Sequence, residues 1–278
     1  MVRKGYPKIR YGSLVLTLLS LILAAGMVAP FLWMFIMSTK TSSEIFSKPL
    51  FEPGKNLLRN FLSIMHYNFP QAFLNSMLVS AGTAAASVFV SALAGFAFSK
   101  YRFRGKQALF AFVLATLIIP PEIGLVAYVW QIRLMKLSNT LLSLIMPYVA
   151  SAFGIFWMKQ YIDEAVPYEL LESARIDGCR EFHAFRHIVL PIIKPAVFTL
   201  MLVNFMSSWN NYMLPLVAIS KVSRYTIPLA VATIGNQYMA EYGAQILGVT
   251  LGLLPMLIIF MLSSKVITRS VVAGAIKG

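Results

Sequence analysis

The chain has 278 residues, of which 58% are hydrophobic and 12% charged, with a mean hydropathy of +0.73 and a formal net charge of +14. A water-soluble domain of this length could not cover so much apolar surface with polar groups, so the composition points to a protein dissolved in a bilayer. The charge does not indicate nucleic acid, because the 24 Lys and Arg residues lie in short clusters between apolar runs, and the single cysteine, Cys179, excludes an intrachain disulfide and a Cys-rich metal site.

A membrane helix needs about 20 mostly apolar residues, since lipid offers the backbone no hydrogen-bond partner. Six segments meet that requirement. The first, Leu14–Met37, follows Arg3, Lys4, Lys8 and Arg10. It is longer than the roughly 7–15 residues of a signal-peptide core, and Pro30, Phe31 and Trp33 continue it, so it reads as a retained span. The second, Ala72–Phe98, is rich in small residues (Ser80, Ala81, Gly82, Ala84, Ala85, Ala86) that let helices approach closely. Ala108–Trp130, Thr140–Met158, Pro195–Val217 and Gly243–Ser263 complete the set. Pro147, Pro215 and Pro255 fall inside or at the ends of these spans, where neighbouring helices can satisfy the freed backbone groups. The predicted fold is all-α: one polytopic membrane domain over 1–278, with a short segment 1–13, a six-span core 14–263 and a tail 264–278.

The connecting segments give an orientation. Alternate segments, counted from the N-terminus, hold 16 of the 24 Lys and Arg residues, and the others hold 8. The compact cluster Lys100, Arg102, Arg104, Lys106 belongs to the richer set. Because basic loops stay in the cytoplasm, both termini, Lys100–Lys106 and Lys159–Lys194 are expected there, with Thr39–Gln71 outside.

The 159–194 segment concentrates Asp163, Glu164, Glu169, Glu172, Asp177 and Glu181, six of the ten acidic residues. Pro167 suits a first helical turn, with Glu169 and Glu172 near its positive end. Leu170, Leu171 and Ala174 form an apolar stripe, and Gly178 lets the backbone reverse. Phe182, Phe185 and Val189 then recur on one side of a second helical stretch, and Pro191 and Pro195 mark the return to the membrane. The expected product is a cytoplasmic helix–turn–helix.

Glu172, Ser173 and Ala174, then Gly178, then Ile188, Leu190 and Pro191 match the spacing of a known signature, roughly Glu-Ala-Ala, three residues, Gly, nine residues, Ile-x-Leu-Pro. In this the chain resembles the permease subunits of ATP-binding-cassette importers, departing only in Ser173 for the usual first Ala. Ile176-Asp177-Gly178 and Pro195-Ala196 resemble the carbohydrate-uptake branch. So do Lys100–Gly105 after Ala94–Phe98, Asn75-Ser76, Pro120, Trp209–Tyr212 and the terminal Ala273–Gly278.

That resemblance implies a cytoplasmic ATPase dimer, a second homologous permease subunit and an extracellular or periplasmic solute-binding protein. It also implies a multi-pass location in the cytoplasmic (inner) membrane of a bacterium or archaeon, in contact with lipid. The loop would sit as a coupling helix in a groove of the ATPase. Glu172 would meet a basic group, Ala174 and Gly178 would allow close packing, and Phe182 and Phe185 would plug the contact, with Asp177 inside the same motif. Lys277 and Gly278, in the tail from Val272, would reach along the ATPase or simply fray. The chain has no G-x-x-x-x-G-K-[ST] phosphate loop, so no cofactor is expected on it, and ATP with Mg is assigned to the partner ATPase.

Within the spans, Glu122 beside Pro120 and Pro121 is nearly the only ionisable group, whereas ion-coupled carriers place relays inside their helices. Asn204, Trp209, Asn210 and Asn211 are polar; they either line a solute pathway, since sugars are recognised by amides and aromatic faces, or make helix–helix hydrogen bonds. His183 and His187 are spaced i, i+4 without the acid that would complete a metal site. The leading function is a sugar-importer permease subunit. The alternatives are a permease of the same superfamily for another solute, such as glycerol phosphate, and an ion-coupled secondary carrier; a membrane enzyme lacks any triad, metal cluster or paired carboxylates.

Overall fold

In the computed structural model the described residues are 11–235 and 241–275, with side chains over 14–235 and 241–263, and every regular element among them is helical. Leu14–Met37, Phe69–Lys100 and Tyr242–Ser263 are each long and apolar enough to cross a membrane, and three bent helix pairs raise the number of spans to as many as six. The chain divides into two compact units, residues 1–67 with 234–251 and residues 68–233 with 252–278.

In the first unit, α1 (Tyr11–Met37) is followed by α2 (Ser42–Ser47) and α3 (Leu57–His66). Thr41 starts α2 through a capping box: its hydroxyl accepts from the Glu44 N–H while the Glu44 carboxylate accepts from the Thr41 N–H. Asn60, buried on α3, donates from one amide nitrogen to the carbonyls of Ser38 (2.8 Å) and Lys40 (2.9 Å), two residues that follow the last turn of α1. Those carbonyls are helix-end acceptors, so a buried amide removes the cost of leaving them bare. The segment from Tyr242 joins the same cluster, where the Tyr242 N–H donates to Ser42 Oγ at 3.0 Å and Ser63 hydrogen-bonds to Glu241.

In the second unit, α4 (Phe69–Lys100) is the central helix, against which α8 (Ala152–Ala165) and α12 (Lys194–Trp209) pack. Its small hydroxyl residues Ser76, Ser80, Thr83, Ser87 and Ser91 form a buried stripe at helical spacing. Gly95 allows α8 to come close: a Cβ there would stand 2.6 Å from the Cβ of Met158 and 2.8 Å from the backbone N of Lys159.

Spans three to five are not single uninterrupted helices. The third is broken between α5 (Lys106–Thr116) and a 3-10 turn at Pro121–Gly124 that leads into α6 (Leu125–Leu134), with a 91° bend. Pro120 and Pro121 supply no N–H and fix φ, so the helix cannot run through them. The fourth is broken by 47° between the α7 stretch (Leu142–Ile145, continuing as a 3-10 turn at Met146–Tyr148 that contains Pro147) and α8. The fifth ends at Trp209, and α13 (Met213–Ala218) follows a break. The 159–194 loop also begins later than its sequence limits, because α8 continues to Ala165 with Met158 and Ile162 fully buried.

Candidate functional site

Two features of the second unit could carry function. The first is the segment after α8. There α9 (Tyr168–Ile176) starts at Pro167 and carries Glu169 in its first turn, a favourable charge at a helix N-terminus. Leu171 and Ala174 are buried, and Leu171 joins a core with Phe96 of α4, Met158 and Ile162 of α8, and Leu200 of α12. The helix is closed by the Gly178 N–H on the Arg175 carbonyl (3.0 Å) and the Cys179 N–H on the Ala174 carbonyl (2.9 Å), with Gly178 in the left-handed region at φ +76°.

The chain then runs through α10 (Glu181–Ala184), one wide π turn (Phe185–Val189) and α11 (Leu190–Ile192), and turns by 80° into α12 at the buried Ile193. Arg175 Nε donates to Glu181 Oε1 at 2.8 Å, and Tyr101 Oη donates to Glu181 Oε2 at 2.8 Å. The Arg175 hydrogen bond, aided by Tyr101, holds the Glu181 carboxyl below the usual carboxylate range, while burial and Glu181 push the Tyr101 phenol up to about 12. Lys100 is buried beneath this segment, donating to the Val166 carbonyl with its ammonium 4.7 Å from the centre of the Tyr168 ring. The two ends of the turn and the loop after α4 are thus held by charge-assisted bonds.

The outward face differs from the expected stripe. Phe182 is 63% exposed, but Phe185 is 5% exposed and lies 5.4 Å, centre to centre, from Phe96 within the core. Phe185 therefore cannot present itself to a partner together with Phe182. Leu170 is likewise on the exposed side, not with Leu171 and Ala174. Glu172, Ser173, Asp177 and Gly178 are exposed, as is Pro191; Ile188 and Leu190 are half-buried against the core. Ile176, named in the sequence only within the motif Ile176-Asp177-Gly178 and given no role of its own there, is 86% exposed. Arg175 was also missed, although opposite charges flanking a glycine turn are a recognisable signal.

The second feature is a cavity of about 550 Å³ lined by Thr83 of α4, Pro120, Tyr148, Ser151, Asn204, Ser207, Ser208 and Asn211, among others. Three of the four breaks (near Pro120, near Pro147, and after Trp209) open onto it. None of its lining residues carries a charge. Asn204 Nδ2 donates to Ser87 Oγ at 3.0 Å. Asn211 Nδ2 donates to Tyr148 Oη at 2.7 Å, and its Oδ1 accepts from the Leu214 N–H, which starts α13. The other two candidates lie elsewhere. Trp209 is buried, donates to the Gly252 carbonyl at 3.0 Å and stacks on Phe205, while Asn210 is exposed and turned back onto the Met206 carbonyl.

Among the described residues, no three His, Cys, Asp or Glu side chains come together to hold a metal ion. His183 and His187 stack on each other, exposed, with ring centres 3.9 Å apart. Lys277 and Gly278 lie outside the described residues.

Residues 87–273 match the family described as the binding-protein-dependent transport system inner membrane component. Over 252 residues the chain is 33% identical to a putative ABC transporter permease protein of a Caldicellulosiruptor species and 31% identical to a lactose transport system permease protein of Rhizobium radiobacter, covering 90% of this chain and 91% of each relative. An arabinooligosaccharides transport system permease protein of Bacillus subtilis is 27% identical over 98% of both chains. Among solved structures, a chain of a bacterial ABC transporter involved in the import of the acidic polysaccharide alginate superposes with a TM-score of 0.74 at 19% identity, over 95% of this chain and 99% of that one.

Proposed function

The chain belongs to the family of inner membrane components of binding-protein-dependent transport systems, and we propose that it forms half of the translocation pathway for a sugar or oligosaccharide in an ATP-driven importer. Relatives named for lactose and arabinooligosaccharides support the solute class. So does the cavity, whose amides and hydroxyls suit a neutral polyol and whose lining holds no cation to neutralise a phosphate. Glycerol phosphate is disfavoured on that ground. An ion-coupled carrier is disfavoured because no carboxylate or histidine lines the cavity.

The observation that carries the mechanism is the exposed apolar pair Ile176 and Phe182. Ile176 lies one helical turn from the exposed Glu172 on α9 and Phe182 lies on α10, in a segment whose other side, Leu171, Phe185 and Val189, is locked into the span core. In this reading a cytoplasmic ATPase dimer receives Ile176 and Phe182 in a groove, and a basic group of the ATPase meets Glu172. Asp177 and Gly178 form the tip of the contact. Both termini and Lys100–Lys106 face the cytoplasm, a second permease chain completes the pathway, and an external binding protein delivers the solute. ATP and Mg bind the ATPase, which alone hydrolyses nucleotide.

The test is reconstitution with the partner subunits in vesicles, measuring ATP-dependent uptake of labelled lactose, an arabino-oligosaccharide and glycerol phosphate. Sugar uptake is expected, and Glu172→Lys should abolish it together with ATPase co-purification, because a like-charge contact at an interface costs several kcal/mol, on the order of 2–5. Uptake that survives removal of the ATPase but stops with a proton uncoupler would overturn the reading.

A further inference from the structure

On the first unit, α3 presents an apolar face that the described residues leave exposed. Leu58 is 70% and Leu62 60% exposed, and Leu57 and Phe61 are exposed beside them. At 3.6 residues per turn these four side chains occupy an arc of about 140° on the helix. The buried side of α3, Asn60 and Ile64, adjoins one edge of that arc, and Arg59 and His66 lie along the other. The helix therefore has three sides: one packed on the protein, one apolar and bare, and one basic.

Where α3 sits is fixed by Asn60. Its amide holds the carbonyls of Ser38 and Lys40. These residues follow Met37, the last and buried residue of a 24-residue apolar stretch whose most apolar 18-residue window has no residue buried within the chain. A stretch of that kind has lipid as its surroundings. Its end marks the boundary of the hydrocarbon, and α3 is bonded directly to that end, within about one helix diameter, 10–12 Å. The preceding segment adds Phe46, Leu50 and Phe51, all exposed, and Phe46 meets Tyr242 edge to face at 5.7 Å.

We propose that α3, with the preceding Phe46–Phe51 segment, is an interfacial amphipathic element that inserts Leu57, Leu58, Phe61 and Leu62 into the headgroup–acyl boundary of the bilayer, with Arg59 and His66 at the level of lipid phosphates. The apolar arc offers no hydrogen-bonding group, as suits acyl chains and not a polar protein rim. A basic edge next to an apolar arc is the arrangement in which long cationic side chains cover apolar surface while their charge reaches the phosphates. The element then fixes the depth of the α1 end in the membrane, because Asn60 joins the two. This rests on the membrane placement of α1 and not on the solute or the ATPase, so the transport reading and this one stand or fall separately.

The test uses the full-length chain with Cys179→Ser, reconstituted in vesicles of phosphatidylethanolamine and phosphatidylglycerol. Single cysteines replacing Leu58, Leu62, Glu52 or Lys55 carry a nitroxide. Collision with oxygen, which concentrates in lipid, is compared with collision with a water-soluble nickel chelate. At Leu58→Cys and Leu62→Cys oxygen should dominate, and at Glu52→Cys and Lys55→Cys, exposed charged positions in the stretch between Phe51 and α3, the nickel chelate should dominate. Nickel accessibility at 58 and 62 equal to that at 52 and 55 would place the face in water and overturn the proposal. Protection from both reagents would show it covered by protein and overturn it equally. A Leu58→Met and Leu62→Met pair, which keeps the apolar arc, should leave the accessibility of a label at Phe61→Cys unchanged, whereas Leu58→Glu with Leu62→Glu should shift that label toward nickel accessibility.

Discussion

Gly178 offers the sharpest test of the turn between α9 and α10. A Cβ at this position would meet nothing within 4 Å, so a substitution there does not clash with the rest of the chain. The cost is conformational: at φ +76° an L-residue is left-handed, which costs about 1–2 kcal/mol for alanine and less for asparagine. At 1.4 kcal/mol per tenfold, that makes the turn open about 5–30 times more often. The amides that report on it are those of Gly178 and Cys179, bonded to the carbonyls of Arg175 and Ala174. Hydrogen exchange on the protein in lipid nanodiscs should show protection at these two amides falling by that factor in Gly178→Ala. Gly178→Asn should lose less, and Gly178→Val at least as much as alanine. ATPase co-purification should weaken in the same order. If Gly178→Ala exchanges like the native chain, or asparagine costs more than alanine, the left-handed turn is not what holds the segment in shape.

Three further outcomes are expected. The Glu181 carboxyl, held below its ordinary pKa by Arg175, contributes its pairing fully above the ordinary value of about 4.3 and loses it as pH falls through the lowered one. A carboxyl carbon-13 titration should give a higher midpoint in Arg175→Gln than in the native chain; since both side chains are more than a third exposed, the accompanying stability is only about 0.2–1 kcal/mol, and identical midpoints would rule the pairing out. Gly95→Val should destabilise the α4–α8 contact by roughly 1–3 kcal/mol, because backbone of α8 lies in the way, and a thermal melt should show it while Gly124→Ala, with open space around it, melts like the native protein. In intact cells, with Cys179→Ser, an impermeant thiol reagent should label Ser47→Cys and spare Arg102→Cys; labelling of Arg102→Cys would invert the proposed orientation.

Long apolar runs are legible in sequence because the bilayer demands them, and the six found there overlap the three long helices, two of the bent pairs and the second half of the third. The bends were not legible. Pro120-Pro121 and Pro147 stand at breaks, yet Pro255 sits inside the continuous helix Tyr242–Ala275, so proline alone does not announce a break. The helix–turn–helix at 168–192 follows from its periodicity and from Gly178. Which phenylalanine faces outward does not, because the π turn at Phe185–Val189 departs from the 3.6-residue period on which the stripe was read. Lys100 is a similar case. It belongs to a basic cluster in sequence, and only the fold turns it inward onto the Val166 carbonyl. Asn204 and Asn211 lie on one cavity, but Trp209, from the same run of residues, faces Gly252, since successive residues of a helix point in different directions.

Were the two arms of the 80° corner at Ile193 to turn together as a rigid body, they would act as a bell crank. One arm, Glu181–Ile192, is about 18 Å long, and along the other arm Asn204 stands about 15 Å from the pivot, at 1.5 Å per residue. With the pivot packed solid by Ile193, Ala196 and Val189, a push of 1 Å at the free end of the first arm turns the crank by about 3°, and swings Asn204 by about 0.8 Å. That travel is comparable to the tolerance of a hydrogen bond, so the 3.0 Å contact between Asn204 and Ser87 would be made or broken by a stroke no larger than the clearance between two packed side chains.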